Sequence, residues 1–146
     1  MTDWVSSERE LIKTIMIHLN NSPLLIGLNN HIYDRAQVDI NSNTYVIVGE
    51  TNVVEHETSN TLVETIAVTA HVYHRNDANP DLTVDETRQF VVMLKRAMMQ
   101  LEDVELDHYV ITDVRLDDQQ TITDIDYVTQ HGILRIKYDV FHKVRY

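Results

Sequence analysis

Apolar side chains recur at helical spacing in two stretches of the chain, and these stretches predict its two main helices. The first helix is expected to end before Pro23, since proline lacks a backbone N–H and disfavours helix at the preceding residue. Two pairs with the spacing of a capping box, Ser7 with Glu10 and Thr83 with Glu86, predict where the helices begin. The expected buried stripes are Leu11, Ile12, Ile15, Met16 and Leu19, then Phe90, Met93, Leu94, Ala97, Met98 and Leu101.

Four further stretches predict strands. Residues 44–48 are mostly β-branched or aromatic, so we expect a strand buried on both faces that stops at Gly49. The stretches Leu62 to Arg75, Tyr109 to Leu116 and Ile133 to Val144 alternate, as half-buried strands do. The sets that share one face are Leu62, Glu64, Ile66, Val68, Ala70, Val72 and His74; Val110, Thr112, Val114 and Leu116; and Leu134, Ile136, Tyr138 and Val140.

Polar segments separate these elements. Asn30 to Asp34 is interpreted as the end of a short helical turn, and residues 34–43 as a loop. Thr51 to Asn60 has little apolar surface to bury, so it is predicted to be a mobile loop or an irregular hairpin arm. Asp117 to Asp126 is predicted to be a second mobile polar connection for the same reason.

The order helix, strand, strand, helix, strand, strand indicates the α+β class. Runs of strands between helices favour a largely antiparallel β-sheet with the two main α-helices packed on one face. A chain of 146 residues fits one domain, so residues 1–146 are expected to form a single domain. A protein of this size buries enough surface for one real core.

The charge of the chain is strongly negative and uneven. The formal charge of −11 argues against nucleic acid or an anionic membrane as a partner held by bulk charge. The segment Glu102 to Asp126 holds nine acids and one base, whereas Arg135 to Tyr146 holds four bases and one acid. This contrast permits head-to-tail contact between identical subunits, although an unevenly charged solvated surface explains it equally well.

Candidate chemistry is sparse. The chain has no cysteine and eight histidines, and His71 and His74 are expected to point to opposite faces of one strand. Asp117 to Asp124 has the acids of a calcium loop, but Ile122 and Val128 occupy the positions of its glycine and glutamate, so we interpret the stretch as a solvated hairpin arm. Three glycines cannot build a phosphate cradle, and no GxSxG motif is present. We therefore expect no enzyme activity, no metal site and no cofactor.

The start of the chain and its hydropathy bear on location. The first residues show no basic stretch followed by an apolar one, so no secretory signal is expected. No apolar run approaches the roughly 20 residues that span a bilayer, and no membrane partner is expected. The lack of cysteine is typical of a protein made in the cytosol.

From about Leu11 to Val144, the order of predicted helices and strands resembles that of the tail terminator, or tail completion, proteins. These proteins join tail to head in bacteriophages with long non-contractile tails. The chain has Thr44 where members of that family often have a proline before the first strand tyrosine. The resemblance is carried by Ile32-Tyr33-Asp34, Tyr45-Val46-Ile47-Val48-Gly49, the strand ending in His71-Val72-Tyr73, the helix Val84 to Leu101, and His131-Gly132-Ile133-Leu134-Arg135-Ile136.

This resemblance implies a structural virion protein without catalysis or cofactor. Family members form a hexameric ring that caps the tail tube, ends tail elongation and offers the docking surface for the filled head. The implied partners are copies of the chain itself, the tail tube protein and a head-completion or neck protein. DNA would pass through the ring without specific binding. The implied location is the head-proximal end of the tail, after assembly in the host cytoplasm.

Candidate contact residues and two rival functions follow from the same reasoning. The rivals are another adaptor of the phage neck, such as a head-completion protein, and an acidic inhibitor that imitates DNA. An inhibitor of that kind should carry its acids on exposed helices, whereas these acids lie in connections and strands. The candidates for a subunit, tube or channel surface are Glu55, Glu57, Asp117, Asp118, Asp124, Asp126, Lys143 and Arg145.

The charge leads to a first prediction. We expect no stable binding of duplex DNA at physiological salt, because a chain of formal charge −11 without a basic stripe repels phosphates. Fluorescence anisotropy of a labelled duplex, titrated with the protein at about 150 mM salt, should show no saturable change. Micromolar binding under these conditions would contradict the prediction.

Overall fold

The computed structural model describes residues 5–25, 27–28, 31–34, 42–123 and 128–143. Short 3-10 turns lie at Pro23–Leu25 and Pro80–Leu82. The helices and strands are α1 (Glu8–Asn20), β1 (Ile32–Tyr33), β2 (Thr44–Glu57), β3 (Leu62–His74), α2 (Thr83–Met99), β4 (Tyr109–Thr123) and β5 (Gln130–His142).

Within these ranges the strands form one five-stranded sheet in the order β1-β2-β3-β5-β4. The pairs β2–β3, β3–β5 and β4–β5 are antiparallel, and only the short β1 runs parallel to its neighbour. Both helices contribute to one core on a single face of this sheet. The predicted α+β class, with a largely antiparallel sheet and two helices on one face, is therefore confirmed. No helix in the described part of the chain is long and apolar enough to cross a membrane.

The central strand β3 provides the floor of the core. All seven side chains predicted to face the helices from this strand are buried, including the charged Glu64 and His74. The predicted set on β5 is also confirmed, since its members are all fully buried. The hydroxyl of Tyr138 donates to the carbonyl oxygen of Met98 at 3.0 Å, and this bond ties β5 to the end of α2. Burial raises the pKa of Tyr138.

The predictions for β2 and β4 are partly wrong. β2 is expected to be buried on both faces, but Val46 is buried while Tyr45 is partly exposed. On β4 only Val114 of the predicted set is buried, and the other buried residues are Tyr109 and Ile111. The register between β4 and β5 shifts after Ile111, and a β-bulge of this kind moves the following residues to the other face.

Two predicted polar loops are strands. β2 continues to Glu57, pairs with β3 and turns back through residues 58–61, so the hairpin interpretation of Thr51 to Asn60 is the correct one. β4 continues to Thr123 and pairs with β5, so the interpretation of the stretch from Asp117 as a hairpin arm is confirmed and that of an unstructured connection is wrong. Residues 124–126 lie outside the described part. Backbone pairing holds these segments, and such pairing needs no apolar side chains. Their mobility stays a prediction.

The region before β2 also differs from expectation. Ile32 and Tyr33 form β1 instead of the end of a helical turn. The N–H of Val46 donates to the carbonyl of His31 at 2.8 Å, which starts the parallel pairing. Most of the predicted loop, residues 35–41, lies outside the described part of the chain.

Neither predicted capping box forms among the described side chains. α1 begins after Ser7, whose hydroxyl donates to Glu64 on β3 at 2.9 Å instead of capping the helix. The carboxylate of Glu86 accepts from Asn76 at 2.8 Å, and His74 lies 3.1 Å away. These residues therefore fasten the helix starts to the sheet. The stripe of α2 also shifts: Thr87 and Val91 are buried, while two predicted members, Phe90 and Met93, are only partly buried.

The close crossing of α2 over β5 leads to a second prediction. A Cβ atom at Gly132 would lie 2.4 Å from Cγ2 of Val91, so Gly132→Ala must push the helix away. We expect the free energy of unfolding to fall by about 1–3 kcal/mol, as overpacking usually costs. Urea denaturation measures this change. Gly49→Ala is the matched control, because its Cβ would meet nothing closer than 3.8 Å. Equal stability of the two variants would contradict the prediction.

Candidate assembly surfaces

The two hairpins end at opposite ends of the sheet. The start of β3 pairs with the end of β5, through Val63 and Phe141, and the end of β3 pairs with the start of β5, through His74 and Gln130. The turn that joins β2 to β3 therefore lies at one end, and the end of β4 and the start of β5 lie at the other. We call residues 51–65 the β2–β3 arm and residues 115–123 with 128–135 the β4–β5 arm.

Both arms are exposed near their tips. Residues 54–57 are all exposed on the β2–β3 arm, and residues 115–120 are all exposed on the β4–β5 arm. Each arm also carries a large exposed apolar residue, Val54 at 47% and Ile122 at 45%. Single exposed apolar residues are normal on protein surfaces, so the arms are candidates because of their length and exposure and not because of an apolar patch.

The predicted contact residues divide between these surfaces. Glu55 and Glu57 are exposed on the β2–β3 arm, where Glu55 pairs in register with the buried Glu64. Asp117 and Asp118 lie on the β4–β5 arm. The remaining candidates are distant or not described: Lys143 follows β5 near the other end of the sheet, and Asp124, Asp126 and Arg145 lie outside the described residues.

The acidic stretch and the basic tail contact each other within one subunit. Asp117 lies 2.9 Å from Nε of Arg135 and 3.5 Å from Nζ of Lys137 on the neighbouring strand. Lys143 lies 3.4 Å from Glu105. The hypothesis that these two segments join different subunits by charge is therefore weakened, because three of the four tail cations already have partners. Exposed ion pairs of this kind contribute little to stability, but they neutralise each other locally.

A second network lies further along the same face. Arg115 lies 2.9 Å from Asp113 and 2.7 Å from Asp139 on β5. The hydroxyl of Thr65 donates to Asp139 at 2.7 Å. Partial burial raises the pKa of Asp139, but the bonds from Arg115 and Thr65 hold it below its usual value. In the middle of this face, the positive and negative side chains therefore neutralise each other within the subunit.

Aromatic and histidine rings stack on the same face. The rings of Tyr45 and Tyr73 lie 4.9 Å apart, and those of Tyr73 and His131 lie 4.3 Å apart. Nδ1 of His71 lies 2.7 Å from Nε2 of His131. A hydrogen bond from His71 to Glu50, 2.9 Å long, holds the pKa of that exposed carboxyl below its usual value.

The two histidines of β3 serve different faces, as predicted. His71 lies in the stacked cluster, whereas His74 contacts Thr44 and Glu86 on the helical side. Within the described residues, no three His, Asp or Glu side chains are grouped to hold a metal ion.

One buried carboxylate fixes the start of α1. Glu64 is fully buried, and its oxygens accept from the hydroxyl of Ser6 at 2.7 Å and from the N–H and hydroxyl of Ser7 at 2.7 and 2.9 Å. Nε2 of the buried His142 lies 2.5 Å away. Burial alone raises the pKa of this carboxyl, but these hydrogen bonds together outweigh burial and hold it below its usual value. The sequence placed Glu64 on the apolar face of β3 but did not reveal its partners.

The outer surface of the helices is the third candidate surface. A groove of about 610 Å³ runs along α1, and its apolar lining is Ile12, Met16 and Ile17. Two bases, Arg9 and Lys13, and two acids, Glu8 and Asp34, also line it, so its charge is balanced. Ile17 is 55% exposed. Sequence analysis did not single out this surface, because the apolar stripe of α1 was assigned entirely to the core.

The comparisons with known proteins concern the fold. No family model matches the chain, and no curated protein matches it. Among solved structures, the fold is similar to a chain in a structure described as the virion of a native gene transfer agent (GTA) particle, with a TM-score of 0.74 and 12% sequence identity. The aligned part covers 87% of this chain and 91% of that one, so nearly the whole architecture is shared.

The buried carboxylate leads to a third prediction. Glu64→Gln should lower the free energy of unfolding by about 2–4 kcal/mol, because it removes the charged acceptor from buried donors. The pKa of Glu64 is lower in the folded than in the unfolded state, so its contribution is present above about pH 4.5. The stability difference from wild type should then shrink as pH falls through the folded-state pKa.

Denaturant unfolding at several pH values tests this prediction. Glu55→Gln is the matched control, since Glu55 is the exposed neighbour of Glu64 across the hairpin. Its stability should stay within about 0.5 kcal/mol of wild type. A Glu64→Gln variant as stable as the control at pH 7 would show that the buried carboxylate does not hold the helix start.

Proposed function

We propose that this chain is a structural subunit of a phage-like virion, and more narrowly a tail terminator. The observation that carries the proposal is the shared fold with a chain of a gene transfer agent virion, which extends over nearly the whole of both chains. The order of sequence patterns, which resembles the tail terminator family, supports the narrower assignment. In this function the protein is not an enzyme and needs no cofactor.

The shape of the subunit fits a ring. A closed ring of identical subunits needs two different surfaces on each subunit, one for either neighbour. Here the arms lie at opposite ends of the sheet, and α1 offers a separate groove with an apolar lining. A hexameric ring at the tip of the tail tube blocks addition of further tube protein. Its other side then offers a docking surface to the neck or head-completion protein.

The charge of the chain fits a channel that DNA passes. Six copies at −11 each carry a formal charge of −66. Acidic walls repel phosphates, so DNA crosses such a ring without being held by it. The ring would lie in the virion, at the head-proximal end of the tail.

One rival function is disfavoured by an observation on the helices. An inhibitor that imitates DNA needs acids on an exposed surface at phosphate-like spacing. The outer surface of α1 instead carries the cations Arg9 and Lys13, and that of α2 carries Arg88, Lys95 and Arg96. A neck or head-completion adaptor remains the main alternative, since such a protein also forms rings and carries no chemistry.

Deletion of the gene from the particle that encodes it gives a fourth prediction. Electron microscopy of the lysate should show overlong tails that are not attached to filled heads, because nothing stops growth of the tube. Wild-type protein supplied in trans is the control and should restore tails of normal length joined to heads. Tails of normal length without heads would assign the chain to the neck instead. Normal complete particles, or a block before any tail forms, would reject both functions.

A further inference from the structure

Four side chains with rings meet on the face of the sheet that is turned away from the helices. Tyr45, Tyr73 and His131 lie opposite one another on β2, β3 and β5, and His71 stands two residues before Tyr73 on the same face. Ring centroids are 4.9 Å apart between the two tyrosines and 4.3 Å apart between Tyr73 and His131. All four side chains are partly buried, and we call them the ring cluster.

The hydrogen bonds of the ring cluster determine where its protons lie. A carboxylate only accepts hydrogen bonds, so Nε2 of His71, which lies 2.9 Å from Glu50, carries a hydrogen. Nδ1 of His71 lies 2.7 Å from Nε2 of His131, and this contact is a hydrogen bond when one hydrogen lies between the two atoms. When both rings are neutral, Nδ1 of His71 is therefore the acceptor and His131 is the donor.

One added proton fits this arrangement. The positive charge can lie on either ring, because movement of the shared hydrogen across the contact transfers the charge from one histidine to the other. The carboxylate of Glu50 lies beside His71, and the ring of Tyr73 is within 17° of parallel to that of His131. A carboxylate and the face of an aromatic ring both attract a cation. The closed cluster therefore holds one positive charge with both hydrogen bonds kept.

A second added proton does not fit. Both ring nitrogens of a cationic histidine are donors, so two cations would point N–H groups at each other across a contact of 2.7 Å. Neither atom could then accept, and the two like charges would repel. The rings of His71 and His131 would have to separate, and Tyr73 would lose the ring on which it stacks.

Within the described residues, the charged neighbours of the ring cluster are few. Glu50 contacts it directly, and the hydrogen bond from His71 holds the pKa of this carboxyl below its usual value. Glu50 therefore stays ionised in the range where histidine changes charge. On β4, the residues opposite the start of β5 are Gln120 and Ile122, which do not titrate. The other titratable groups nearby on this face are Tyr33 on β1 and, one row further along, Arg135, Asp117 and Asp118.

We infer that the ring cluster is a pH switch built into this face of the sheet, closed with one added proton or none and open with two. Histidine is the side chain that ordinarily changes charge between about pH 5 and pH 8. Opening replaces a stacked, partly buried surface by two separated cations, on a chain whose formal charge is −11 when its histidines are neutral. The switch depends on contacts within one subunit, so it goes beyond the proposed function and does not require a ring.

Nuclear magnetic resonance of the wild-type protein tests the switch without any substitution. Long-range proton–nitrogen spectra of the imidazole rings are recorded from about pH 8 down to about pH 4.5, across the range in which histidine titrates. At the upper end, His71 should carry its hydrogen on Nε2. Both histidines should then respond together in a first step, because they share the charge, and a second step at lower pH should shift the ring signals of Tyr73.

Three results of this titration would overturn the inference. The first is a hydrogen on Nδ1 of His71 alone at the upper end, since Glu50 would then have no donor. The second is independent titration of His71 and His131, each in a single step. The third is one shared step without a second one. Far-UV circular dichroism at each pH verifies that the fold persists over the range compared.

His131→Gln provides the second readout. The glutamine amide can still donate to Nδ1 of His71, but the second proton has no place to bind. The ring signals of Tyr73 should no longer move at low pH, and His71 should titrate in one step. His56→Gln is the matched control, because His56 is an exposed histidine on the β2–β3 arm, and it should leave both steps in place. A low-pH step of Tyr73 that persists without His131 would overturn the switch.

Glu50→Gln tests the partner of the first charge. The amide oxygen can still accept from Nε2 of His71, but the negative charge beside the ring is lost. The first step should move to lower pH by less than about one unit, since an exposed carboxylate attracts a cation only modestly. An unmoved first step would show that the added charge lies elsewhere and would overturn the switch, whereas the terminator function would be unaffected.

Discussion

The structure depends most on the buried carboxylate of Glu64. A charge taken out of water is costly unless hydrogen bonds replace its hydration, and here the hydroxyls of Ser6 and Ser7, one backbone N–H and His142 do so. Because these donors come from the residues that begin α1 and from the end of β5, satisfying one group on β3 fixes both of those elements against the central strand. That junction sets where the surface of α1 points and where the β2–β3 arm leaves the body of the molecule.

The sequence predicts the parts of this fold that depend on periodicity. Alternation on β3 placed Ile66, Val68 and even Glu64 on the buried face, and the last strand was equally regular. Alternation failed on β4, because the bulge after Ile111 inserts a residue without any mark in the composition. Alternation is also missing in both arms. Their strands are held by backbone hydrogen bonds and are polar on both faces, so the sequence there looks like a loop.

The candidate site was harder to predict than the fold, for a physical reason. Whether a charge is available to a partner depends on which residue lies beside it across a strand, and the linear sequence does not give strand register. Arg135 and Lys137 looked like a free basic tail, but register places them next to Asp117. The cations of α1 looked unremarkable, since helices usually carry charges on their solvent side. Only the packed molecule shows that Arg115, Arg135 and Lys137 of the sheet lie in ion pairs within the subunit.

The proposed ring requires acidic subunits to assemble with copies of themselves. At long range two bodies of formal charge −11 repel, and random encounters are disfavoured. The repulsion is screened beyond about 8 Å at physiological ionic strength, so contact depends on the local surfaces. Attraction confined to one orientation favours assembly where a template already holds the subunits in place, as the tip of a tube does.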